Sequence, residues 1–146
     1  METTLNLLKQ VHHGSHMAVQ GYDEVIKDTP DEEFRRTLMQ MQNFYKEMAS
    51  EANRRLQALG AVPEEPHALA RAQIWASESL KTLFDRSPDT LLEVLSDGAR
   101  MGLNQTEKTI DMSLQAEPDA VEFIYRYRDQ QRRHLERLRE MRRTVH

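Results

Sequence analysis

The chain has 146 residues, a length that suits one domain burying a single core without staples. Charged residues make up 30% and aromatics 6%, with a formal net charge of -4, which is the balance of a helix-rich globular chain and not of a disordered or strongly basic one. Cysteine is absent, which excludes disulfides, thiolate metal sites and cysteine nucleophiles, and no stretch approaches the roughly 18 apolar residues of a membrane span.

In chain order, the N-terminal Met1-Glu2-Thr3-Thr4 has neither a basic leader nor an apolar signal core, so a cytoplasmic protein away from membranes is expected. Leu5, Leu8, Val11, Ala18, Tyr22 and Val25 recur at three-and-four spacing and predict a first helix ending near Asp28. Three proline-aspartate pairs, at Thr29-Pro30-Asp31, Ser87-Pro88-Asp89 and Glu117-Pro118-Asp119, each mark a helix beginning, because proline lacks the N–H that would be unpaired there. Thr29 with Glu32 has the spacing of a capping box. The second rod carries Phe34, Leu38, Met41, Tyr45, Met48, Ala52, Leu56 and Leu59, and Gly60 follows where a left-handed cap belongs. Pro63 and Pro66 make 61–67 a loop, and 68–84, with the only tryptophan, Trp75, reads as a shorter crossover helix. A third rod shows Leu92, Leu95, Ala99, Gly102, Thr106 and Ile110; a fourth shows Ile124, Gln131, Leu135, Leu138 and Val145.

Rods of about 25 to 30 residues are roughly 40 Å long. Two proline turns pair them into helical hairpins, and the 27 residues from 61 to 87 are enough to travel the bundle's length. The fold class expected for residues 1–146 is therefore all-α: a ferritin-like four-helix bundle of two hairpins, with a long crossover carrying a short extra helix. An up-down bundle with a fifth helix docked outside is the competing topology.

Gly21-Tyr22, Arg54-Arg55-Leu56 leading to Leu59-Gly60 and prolines, Trp75, and His134-Leu135-Glu136-Arg137-Leu138 occur in an order that resembles a family of uncharacterised bacterial ferritin-like four-helix proteins. The resemblance spans nearly the whole chain. It implies a ferritin-like fold, self-association and a stress-response setting, and it implies no reaction.

A ferritin-type di-iron centre needs Glu-x-x-His pairs that aim two ligands inward from one helical face. The literal match, Glu64 to His67, contains Pro66 and lies in the loop; the nearest helical relative, Gln131 to His134, substitutes a neutral amide for the bridging carboxylate. No metal or cofactor is therefore expected. The enzyme-class alternative is a metal-binding protein or oxidase with an unorthodox ligand set of His16, Glu47, Glu51, Glu107 and His134. His12 and His16 share a helix face and are read as hydrogen-bonded or solvated side chains on a polar flank. His134, at the core edge beside Gln131, requires a polar partner.

Gly14, Gly98 and Gly102 lie inside predicted rods, where each costs about 1 kcal/mol relative to alanine. Close helix approach is the simpler reason. The alternative is a small internal pocket lined by Tyr22, Tyr45 and methionines, although large neighbours usually fill such space. Met41, Met48, Met101 and Met112 are read as adaptable core filler. Residues 121–146 hold eight arginines and four acids, so the last segment is net +4. Pairs within one helix, Glu122 with Arg126, Asp129 with Arg133 and Glu136 with Arg139, account for much of this. A homo-oligomer or other protein partner ranks ahead of nucleic acid, which would use Arg132, Arg133, Arg139 and Arg142. The expectation is a non-enzymatic, self-associating bundle that acts through its surface in stress adaptation.

Overall fold

A computed structural model describes residues 1–61 and 85–145. These residues form four α-helices and no strand: α1, Glu2–Lys27; α2, Glu32–Ala58; α3, Pro88–Asp111; and α4, Pro118–Thr144. The predicted loop at 61–67 beyond Ala61, and the whole of the predicted crossover helix over 68–84 with Trp75, lie outside the described residues.

The prolines punctuate the helices as expected, with one change of cap. Asp31, in extended conformation, accepts a hydrogen bond from the Phe34 N–H at 3.0 Å and so starts α2. Thr29 instead donates its hydroxyl to the Val25 carbonyl at 2.7 Å and seals the end of α1. The Thr29–Glu32 capping box is therefore overturned: reversing the chain between antiparallel helices takes residues 29 and 30, and the cap falls to the first acid beyond them. Ser87 caps α3 by accepting from the Thr90 N–H at 3.4 Å, and Pro88 and Pro118 occupy first turns, where no N–H is required. At the far end of α2, Gly60 takes φ 75°; its N–H reaches the Gln57 carbonyl at 2.9 Å while that of Ala61 reaches Leu56 at 3.0 Å. This paired closure needs a left-handed residue, which glycine adopts without strain.

One stripe of each helix faces a common core. Leu7, Leu8, Val11, Tyr22 and Val25 of α1 meet Leu38, Met41, Tyr45, Ala52 and Leu56 of α2, Leu91, Leu92 and Ile110 of α3, and Phe123, Ile124, Tyr127, Leu138 and Met141 of α4. Three expectations fail at the edges of these stripes. Met101 and Met112 are exposed, leaving Met41, Met48 and Met141 as the buried methionines, and Leu59 emerges beyond the last turn of α2. His12, assigned to a polar flank, is buried, because the core stripe of α1 is wide enough to take in Ser15 and His12.

Contacts at the two ends fix the helix directions. The Glu117 N–H donates to the Thr4 hydroxyl at 2.9 Å, and Arg55 donates to the Asp119 carbonyl at 3.2 Å while its guanidinium lies 4.5 Å from the centre of the Phe123 ring. The start of α1, the end of α2 and the start of α4 thus share one end. At the other, Arg86 donates to Asp28 at 2.9 Å, and Arg142 to Asp89 at 2.8 Å and Glu93 at 3.1 Å. Helices α2 and α3 consequently point the same way. The antiparallel pairs α1–α2 and α3–α4 form two hairpins, which meet chiefly where α1 packs on α3 and α4.

Candidate functional site

The seam between the hairpins is not closed. A cleft of about 440 Å³ lies between α1 and α3, within the size range of small-molecule sites. Its walls are made of short side chains at turn spacing: Gly14, Ala18 and Gly21 on α1, and Gly98, Ala99 and Gly102 on α3. Two of these glycines answer to a close neighbour. A methyl group on Gly14 would come within 3.0 Å of the Tyr127 hydroxyl, and one on Gly102 within 3.4 Å of Gln131 Nε2. At Gly98 a methyl would meet nothing within 4 Å among the described residues, so that glycine borders open space there. Large neighbours do not fill the gap, contrary to the expectation from sequence. The pocket alternative holds, with Tyr22 and Tyr45 in its lining and with Met17 and Met101 as its methionines; Met101, 61% exposed, stands at the mouth.

The inner wall is polar at a few points and apolar between them. Tyr22, Tyr45, Tyr127 and Gln131 all line the cleft and all are buried. The Tyr22 and Tyr45 rings stack with centroids 5.7 Å apart, and Tyr127 meets Tyr45 edge-on at 6.1 Å. Burial pushes the Tyr127 phenol up to about 12, the nearby Ser15 hydroxyl acting the other way, and burial raises Tyr22 and Tyr45 further, so all three stay protonated at neutral pH. The Tyr22 hydroxyl and the Gln131 Oε1 atom are buried without a hydrogen-bond partner among the described residues. Behind this wall lies His134, which is not part of the lining: its Nδ1 shares a 2.9 Å hydrogen bond with the Tyr45 hydroxyl, and its ring meets Phe44 edge-on at 5.4 Å. Desolvation lowers the His134 imidazole to about 4 and keeps it neutral. The polar partner that His134 requires is thus Tyr45 of α2, not the adjacent Gln131.

The alternative metal set is dispersed. His16 packs edge-on against His12 with centroids 4.6 Å apart; Glu47 and Glu51 border a shallow surface depression with Lys46, Arg54 and Arg126; Glu107 receives Arg132 at 2.6 Å; and His134 is bonded to Tyr45. Among the described residues no group of three or more His, Cys, Asp or Glu side chains is arranged to hold a metal ion. Nor do the arginines of α4 form a bare cationic face. Arg126 reaches Glu51, Arg132 reaches Glu107, Arg142 reaches Asp89 and Glu93, and Arg128, Arg137 and Arg139 meet acids of α4 itself. Of the three predicted within-helix pairs, Glu136–Arg139 forms, whereas Arg126 bridges to α2 and Arg133 donates to Gln130. The Arg126 arm reaches a neighbouring helix, while Arg133 stays on its own. No helix among the described residues is long and apolar enough to cross a membrane.

Sequence reasoning missed Gly21 and Tyr127 as parts of the site. Gly21 lies two turns after Gly14, on the same face of α1, and that spacing is the signal that would have found it. Comparison with known families decides the chain's affiliation: the domain of unknown function DUF2383 matches residues 3–112, three-quarters of its length. The chain belongs to the DUF2383 family. The match covers α1, α2 and α3, and with them both glycine-lined walls of the cleft, while Tyr127 and Gln131 come from α4 beyond it. No curated protein and no solved structure matches the chain.

Proposed function

We propose that this DUF2383 protein is a non-catalytic binding protein whose α1–α3 cleft takes up a small, largely apolar molecule. The single observation that carries this reading is the open space beside Gly98, kept at a position where alanine would make a better helix. Met101 at the mouth suits an adaptable rim. The polar groups on the inner wall are protonated phenols and a carboxamide, and among the described residues the lining contains no carboxylate to serve as general base. Titration of the purified chain with N-phenyl-1-naphthylamine, a neutral dye that brightens in apolar surroundings, tests the reading. Saturable enhancement is expected, and Gly98→Leu should abolish it without loss of helical circular dichroism. Absence of saturable enhancement with the native chain refutes it.

A second reading, self-association, draws on a different place. Met1, Met112 and Leu114, 71%, 80% and 76% exposed, lie at the end where α1 begins and α3 turns into α4. Association through that end would make Leu114→Glu a monomer by light scattering; an unchanged mass dismisses it. The common direction of α2 and α3 supports a ferritin-like order of connections.

A further inference from the structure

Among the described residues, the lining of the cleft includes no aspartate, glutamate, lysine or arginine. An anionic or cationic ligand held there would lose its hydration without gaining a counter-charge from those residues, an expensive exchange in a low-dielectric site. Yet the cleft is not indifferent to polarity. Tyr22 is 2% exposed and Gln131 5% exposed, and the hydroxyl of one and the Oε1 atom of the other have no hydrogen-bond partner among the described residues. Buried polar atoms are almost always satisfied, and these two belong to the same lining. They ask for complementary things. A protonated phenol hydroxyl donates, so it needs an acceptor; a carboxamide oxygen accepts, so it needs an N–H or O–H.

Resting on the reading of the cleft as a binding site, we propose that its ligand is an uncharged molecule with an apolar, ring-sized body and a polar end that accepts from Tyr22 and donates to Gln131, the pattern of a carboxamide. Nucleotides, sugar phosphates and ionised organic acids are thereby excluded. His13, which also lines the cleft, is the imidazole that would favour an acid instead, and the acid arm of the test addresses it.

Four compounds on one frame separate these requirements: 2-naphthamide, 2-acetylnaphthalene, 2-methylnaphthalene and 2-naphthoate, each competing with N-phenyl-1-naphthylamine on the full chain. The amide should displace the dye on the order of tenfold better than the ketone, which lacks the donor, and the ketone better than the hydrocarbon, with naphthoate weakest. Tyr22→Phe should erase the preference of ketone over hydrocarbon while raising the melting temperature of the free protein, since it deletes an unmet hydroxyl. Gln131→Met should erase the preference of amide over ketone. If the dye binds but the four compounds compete equally, or naphthoate leads, the carboxamide assignment is overturned and the binding cleft stands. If the dye does not bind at all, the cleft reading falls and this assignment falls with it.

Discussion

Replacing Gly98 and Gly14 by alanine should move stability in opposite directions, although both lie inside helices that line the same cleft. In a helix interior alanine is favoured over glycine by about 1 kcal/mol, chiefly because glycine loses more backbone entropy on folding. At position 98 nothing among the described residues opposes that gain, since the new methyl meets none of their atoms within 4 Å. At position 14 the methyl would sit 3.0 Å from the Tyr127 hydroxyl, on a ring already held against Tyr45 and Phe44. Overpacking of that kind costs roughly 1–3 kcal/mol. With an unfolding entropy of about 2.1 cal/mol/K per residue, 1 kcal/mol corresponds to about 3 °C for a chain of this length. Gly98→Ala should therefore melt about 3 °C higher than the native chain, and Gly14→Ala from no change to roughly 6 °C lower, followed by circular dichroism at 222 nm. The same Gly98→Ala change narrows the cleft by one methyl and should weaken N-phenyl-1-naphthylamine binding about tenfold. Equal stabilisation by both substitutions would refute the placement of Tyr127 against α1. A stabilised Gly98→Ala with undiminished dye binding would refute the placement of the ligand.

Other consequences can be measured separately. His134 is held neutral down to about pH 4 in the folded chain, against an ordinary value near 6.5 when unfolded, so between those values the unfolded state binds more protons. Stability should be intact above pH 6.5 and fall as the pH drops towards 4, by on the order of 2 kcal/mol after discounting for partial exposure; urea midpoints of the native chain and His134→Gln should converge at pH 4.5, and an NMR titration of His134 centred near 6.5 contradicts the burial. Gln42 is buried and donates to the Val19 carbonyl at 3.0 Å and to Asp23 at 2.5 Å, tying α2 to α1. Gln42→Ala should cost about 1–2 kcal/mol in chemical denaturation, and a neutral result would dismiss that tie. Glu51 and Glu107 are engaged by arginines, so anaerobic ferrous titration followed by oxygen should show no stoichiometric iron uptake. Two irons bound per chain would restore the oxidase alternative.

The bundle was legible because its determinants are local. Pro88 and Pro118 start helices for reasons contained in one residue, Gly60 ends one for the same kind of reason, and the stripe from Leu38 to Leu56 announces its buried face by spacing alone. Thr29 was misassigned because two local options, capping the next helix or closing the previous one, differ only in how the turn is folded. The cleft was half legible: Gly14, Gly98 and Gly102 marked missing side chains, but whether neighbours fill such a gap depends on the lateral offset of two helices, which no single helix encodes. His134 shows the same limit. Its need for a partner followed from its place at the core edge, while the identity of that partner, Tyr45, is 89 positions away in sequence. The arginine pairs crossed helices for a related reason, since a long side chain can find an acid on an adjacent rod as easily as one turn along its own.

The seam that holds the cleft is also the joint between halves of the chain. Each hairpin closes mostly local contacts, whereas α1 against α3 and α4 is the long-range closure, so a guest lodged there would act as mortar between two prefabricated halves. Its residence would then be governed by how often the hairpins part, a sub-global opening. Occupancy should slow hydrogen exchange most along the facing turns of α1 and α3, leaving the outer turns of α2 to breathe as before.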